Sequence, residues 1–131
     1  MPFIHIQVSG AADEPLAERV AQQASGLTAR LLGKDPALTA VAVEFIDASR
    51  WFIAGRPLSD GRVRSYHWSV SITDETNTKH EKAVYLQAVH EAMGTLLGGV
   101  AEHSYVHVAD LRASAYGFGG RTQENRYQHP A

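Results

Sequence analysis

The feature that most constrains this chain is a repeat at a constant offset. Shifting the sequence by 65 residues lays Leu31-Leu32-Gly33 on Leu96-Leu97-Gly98, and Val41 and Val43 on Val106 and Val108. The same shift lays Ala48-Ser49 on Ala113-Ser114, Trp51 on Tyr116, and Gly55-Arg56 on Gly120-Arg121. Chance supplies one or two such coincidences, but hardly a constant offset with matched helix ends. The first strands of the two halves align at 64 instead, so the second strand-to-helix loop is one residue longer. The chain is therefore read as one pattern used twice, and at 131 residues it is long enough to bury a real core as a single domain.

Each half reads β-α-β. In MPFIHIQV, Phe3, His5 and Gln7 point one way and Ile4, Ile6 and Val8 the other, the period of a half-buried strand. Asp13 is a candidate helix N-cap, with Glu14 and Pro15 in the first turn and Gly33 at the C-terminal end. Between them Leu16, Val20, Ala24, Leu27 and Leu31 recur at steps of four and three. Val41, Val43 and Phe45 then alternate along a second strand, and DASRWFIAGRPL reads as a turn with short hairpin arms. In the second half Trp68, Val70 and Ile72 alternate, Thr78 and Glu81 form a capping box, and Tyr85, Val89, Ala92 and Leu96 make the helix stripe. SYVHVADL is another strand and RASAYGFGGR another hairpin-like segment.

A βαβ unit favours a parallel pair joined by a right-handed crossover. The expected fold is α+β in two layers: a tandem β-α-β repeat forming a four-stranded mixed sheet with two helices on one face. The units span about 1–58 and 66–121, with a short linker carrying Arg62 and Arg64, and the polar tail TQENRYQHPA is expected as a free end or an arm on a neighbour. The other sheet face carries Ala42, Glu44, His107 and Ala109, which suits cover by a partner subunit better than full solvation.

Composition narrows the partners. A net charge of −2 without any Lys/Arg-rich run argues against nucleic acid or an anionic membrane. The absence of cysteine excludes disulfides and thiolate chemistry. No apolar run approaches the roughly 18–20 residues of a membrane span, which makes the cytoplasm the expected location. His103 and His107 are four apart, but on a strand that is about 13 Å, too far for one ion, so no metal is expected. GFGG lacks the strand–glycine–helix setting of a phosphate loop and reads as hairpin chemistry.

The first half, from PFIHIQV through LTAVAVEFI to ASRWFIAGRPL, resembles 4-oxalocrotonate tautomerase, which begins at an N-terminal proline and runs β-α-β into a small hairpin. The second half, ITDETNTKHEKAVYLQAVHEAMGTLLG through AYGFGGR, looks like a degenerate second copy. Together they resemble the double-length members of the tautomerase superfamily, which are trimers. The resemblance implies a homotrimer and an isomerase of the keto–enol type that needs no cofactor. Pro2, freed by removal of Met1, would be the general base acting on a small enol or 2-oxo acid. Dehalogenation or decarboxylation of small unsaturated acids on the same scaffold, or a non-catalytic trimeric binding protein, are the alternatives.

Acid–base chemistry supports the base independently. An α-amino group ordinarily titrates near ~7.7–8. Burial and nearby cations lower that value, and a base with pKa close to working pH can take a proton and return it. A proline at the first residue of a strand also has a purely structural explanation, since it donates no ladder hydrogen bond. The second half has Tyr66 at the aligned position, so one site per chain is expected. The resemblance departs from the single-length enzymes where they carry two carboxylate-gripping arginines: Ala11-Ala12 and Ala42 stand here, with His107 at the second copy's strand position. The candidate substrate-binding residues are His107, the hairpin aromatics Tyr116 and Trp51, and Arg121 as a replacement carboxylate grip. Arg112, Arg62 and Arg64 are weaker candidates for the same grip.

Overall fold

The computed structural model describes residues 1–61 and 63–129. Arg62 therefore lies outside the described residues. The order is β1 (Phe3–Ser9), α1 (Glu14–Leu32), β2 (Ala40–Ile46), β3 (Phe52–Ile53), β4 (Arg56–Pro57), β5 (Tyr66–Thr73), α2 (Lys79–Leu97), β6 (Tyr105–Leu111), β7 (Gly117–Phe118), β8 (Arg121–Thr122) and α3 (Gln123–Gln128).

The helix ends form where the side chains specify them. The Asp13 carboxylate accepts the Leu16 N–H at 3.1 Å, and Gly33 closes α1 at φ 69°, a left-handed conformation that glycine adopts without a steric cost. In α2 the Thr78 hydroxyl accepts the Glu81 N–H while the Glu81 carboxylate accepts the Thr78 N–H, and Gly98 ends the helix at φ 71°.

The sheet order is β2-β1-β5-β6. β1 runs parallel to β2 and β5 parallel to β6, while β1 and β5 are antiparallel, with Phe3 opposite Ser71 and Val8 opposite Tyr66. Both helices pack against one face of this mixed sheet. The core between the layers holds Ile4, Ile6, Val8, Leu16, Val20, Trp68, Val70, Ile72, Tyr85, Val89 and Met93, all essentially without exposure. Toward the helix ends the buried stripe positions are Leu32, Met93 and Leu97, whereas Leu31, Ala92 and Leu96 are only partly buried beside them. The helix faces thus roll by about one residue from the expected stripes as each helix ends. At the centre the Trp68 indole donates to the Tyr85 hydroxyl at 3.0 Å, which also bonds Thr28 at 2.9 Å, so no member of this buried trio lacks a partner.

The antiparallel centre turns the two halves head to tail. The hairpin β3–β4, which follows β2, lies at the end of the sheet where β5 starts. The hairpin β7–β8, which follows β6, lies where β1 starts. Both hairpins close in the same way, with Leu58 N–H donating to Trp51 O and Gln123 N–H donating to Tyr116 O.

The C-terminal tail differs from expectation. Thr122 caps α3 by accepting the Asn125 N–H at 2.9 Å, and Gln123 is buried. The cap and that one buried side chain dock a segment whose polar composition reads as unstructured. Among the described residues no helix is long and apolar enough to cross a membrane.

Candidate active site

Pro2 stands at the head of β1, buried, with its carbonyl accepting the Ala40 N–H at 3.2 Å. The adjoining position is occupied by Tyr116, the residue that leads into β7. Its hydroxyl accepts the Phe3 N–H at 3.1 Å and faces the Ser71 carbonyl at 3.1 Å and the Met1 carbonyl at 2.5 Å. A phenol has one proton for those two carbonyls, and the shorter contact is to Met1. The Met1 carbonyl carbon is bonded to the Pro2 nitrogen, so the Tyr116 hydroxyl sits beside the nitrogen that Met1 acylates. Burial raises the Tyr116 pKa, which keeps it a neutral donor at physiological pH.

Two cations face this end of the chain. Burial holds the Met1 amine below the ordinary α-amino value, and the charges of Lys34 and Arg126 lower it further. Lys34 is the first residue after the left-handed Gly33, in the loop that returns α1 to the head of β2 beside β1. Its Nζ donates to Thr76 Oγ1 at 2.8 Å, and burial lowers its own pKa against the opposing pull of Glu81 and Asp110. Arg126 comes from α3, its guanidinium 4.6 Å from the Phe118 ring centroid.

The other expected site residues lie elsewhere in the protomer. Trp51 is at the far end of β1, beside Gln7 and His67; five residues of strand separate Gln7 from Pro2, about 17 Å. His107 lies on the open sheet face opposite Ser69, its ring 5.2 Å from that of His67. Arg121 turns toward α3, where it donates to Asn125 Oδ1 at 3.0 Å and to the His129 carbonyl. Arg64 is also committed: its guanidinium clasps the Ser9 carbonyl at 2.8 and 3.1 Å. It fills the space a Cβ at Gly10 would need, and Gly10 at φ 120° has none. Within one chain, then, Pro2 and Tyr116 meet, and Lys34 and Arg126 join them unpredicted. Lys34 carried a legible signal, as the residue after a glycine C-cap on the way to the strand parallel to β1; Arg126 carried none, because its element was not expected.

The open face carries a polar relay. Glu44 Oε1 accepts from Gln7 Nε2 at 3.1 Å and pairs with His5 Nε2 at 3.0 Å, while Gln7 Oε1 meets His67 Nδ1 at 3.0 Å. These bonds hold the Glu44 carboxyl below the usual carboxylate range.

Comparison with solved structures places this arrangement. A fused 4-OT described as a symmetric trimer superposes with a TM-score of 0.81 at 15% identity, over 93% of this chain and 96% of that one. A member of the cis-3-chloroacrylic acid dehalogenase family gives 0.74 at 20% identity, over 94% and 89%. The macrophage migration inhibitory factor-like protein of Entamoeba histolytica gives 0.75 at 15% identity, over 92% and 97%. The fold is that of the tautomerase superfamily. At these identities the tautomerase fold is what the likeness shows. No family model matches the sequence, and no curated protein does.

Proposed function

We propose that this chain is a cofactor-free tautomerase in which Pro2, released by removal of Met1, is the general base for a small enol or 2-oxo acid. The observation that carries the reading is the Tyr116 hydroxyl on the Met1 carbonyl, one bond from the Pro2 nitrogen. With Met1 removed, that hydroxyl is left beside a secondary amine, free to donate to Ser71 or to a substrate oxygen. Burial, Lys34 and Arg126 act on the Met1 amine, and the same surroundings would lower the Pro2 amine one residue inward. A lowered pKa leaves the amine neutral near pH 7, as a base must be.

In the reaction the Pro2 nitrogen takes the proton of the enol hydroxyl and delivers it to the neighbouring carbon. Negative charge develops on the oxygen during the first step, and the Tyr116 phenol is placed to donate to it. Lys34 and Arg126 hold the substrate carboxylate, taking over from the arginines that Ala12 and Ala42 replace. A neutral amine favours tautomerisation over the dehalogenase-type alternative, in which a protonated proline acts as the acid. A homotrimer, the assembly described for a fused 4-OT neighbour, would cover the open sheet face, and His107 would reach a neighbour's Pro2 only across that assembly.

The test is ketonisation of phenylenolpyruvate by the mature protein and by Pro2→Ala. The rate of the variant is expected to fall by about 10²–10⁴, the range for losing a general base. Equal rates at all pH values would sink the proline mechanism.

A further inference from the structure

The far end of the sheet holds a cavity of about 260 Å³, lined by Gln7, Ile46, Arg50, Trp51, Phe52 and His67. It stands where the repeat puts the counterpart of the Pro2 site. Trp51 corresponds to Tyr116 at an offset of 65, and His67 to Phe3 at 64. The proposed function does not use it. We propose that this cavity is a second, non-catalytic binding site for a small planar carboxylate, aromatic or conjugated, that carries a hydroxyl group.

Each part of that ligand answers a feature of the lining. Ile46, Trp51 and Phe52 form the apolar wall, with Phe52 59% exposed in the single chain. Such a wall suits a flat π-system. Arg50 supplies the charge. Among the described residues its guanidinium makes no hydrogen bond or close ion pair; its charge acts on the nearby Asp47 carboxylate, which accepts the Ser49 N–H at 2.9 Å. A guanidinium fork fits a carboxylate with two parallel bonds.

The hydroxyl follows from the relay on the open face. Glu44, ionised, only accepts, so Gln7 must turn its amide nitrogen toward Glu44 and its oxygen toward His67. His67 Nδ1 is therefore the donor. Burial first, then the charges of His107 and His5, favour neutral His67, which leaves Nε2 as an acceptor. An acceptor on the lining selects an O–H on the ligand. No chemistry follows binding, because the nitrogen that corresponds to Pro2 belongs to Tyr66 inside the chain and is a peptide amide.

The experiment is a ¹H–¹⁵N titration of the full chain with 4-hydroxybenzoate. The chain has two tryptophans, and Trp68 is fully buried in the core, so its indole signal is an internal control. The Trp51 indole signal is expected to move and saturate while that of Trp68 stays. Arg50→Gln should weaken binding at least tenfold, and Arg50→Lys, which keeps the charge without the fork, should weaken it less. Pro2→Ala should leave the Trp51 response intact, which separates this site from the proposed catalysis. A Trp51 signal unmoved at millimolar ligand, movement confined to Tyr116 and Phe118, or full affinity in Arg50→Gln would each overturn the proposal.

Discussion

The two ends of the sheet are copies of one another that have diverged in a single decisive respect. Both have a strand start, an aromatic at the root of a hairpin, and a hairpin closed by the same backbone bond. At one end the strand follows Pro2, whose nitrogen becomes an amine on the proposed removal of Met1. At the other end the strand begins at Tyr66, whose nitrogen is held in the chain and whose buried hydroxyl bonds His90 at 2.8 Å, its pKa pushed up to about 12. The cations differ too. Lys34 and Arg126 come from segments that flank the Pro2 end, while the far end has Arg50. The repeat thus gives two related sheet ends, and only at the Pro2 end is the strand-start nitrogen one that the proposed loss of Met1 would free.

The comparison breaks most visibly at Pro2. Replacing Pro2 with leucine, which both removes the secondary amine and favours retention of Met1, should reduce ketonisation to background, a loss of at least about 10². Mass spectrometry of the same sample reports whether Met1 is present. Next in size is Tyr116→Phe. It leaves the Phe3 N–H without its acceptor, so the fold should lose about 1–2 kcal/mol in urea denaturation. Turnover should fall about tenfold with the loss of the donor.

Lys34→Gln sharpens the electrostatic half of the contrast. Lys34 lowers the amine pKa, so its loss should raise that pKa and move the acid limb of kcat/KM toward higher pH. KM for carboxylate substrates should rise more than kcat falls, by about tenfold. The smallest effect is at the far end. Neutral His67 is favoured in the folded chain, so the unfolded chain binds more protons below the ordinary histidine value near ~6.5. Stability should be complete above that value and decline as pH falls toward the lower folded pKa. His67→Gln should flatten this decline in urea midpoints measured from pH 8 to 5.

Much of this architecture was legible because short-range chemistry writes it. Asp13, Thr78, Gly33 and Gly98 end their helices through bonds and dihedrals that lie within a few residues of each cap, and the offset of 65 exposed the two hairpins. The sign of the central strand pair was not legible in the same way. Only the antiparallel β1–β5 pairing sends Tyr116 to Pro2 and Trp51 away from it, and spacing within each half carries no information on that choice. Arg121 was a reasonable candidate grip, but α3 captured it, and α3 itself rests on one cap and one buried glutamine in a segment of polar composition. Lys34 and Arg126 converge from a loop and a tail helix, a meeting that only the folded chain brings about.

The proposed catalysis requires an amine at the Pro2 end that is poised to act as a base. The most direct measurement is an NMR titration of the mature chain with ¹⁵N-labelled proline, following the N-terminal nitrogen through pH. The predicted result is a secondary amine that titrates below the ordinary α-amino value of ~7.7–8. A Pro2 nitrogen that titrates at or above that value, or one that stays acylated by Met1 in the protein as produced, would contradict it.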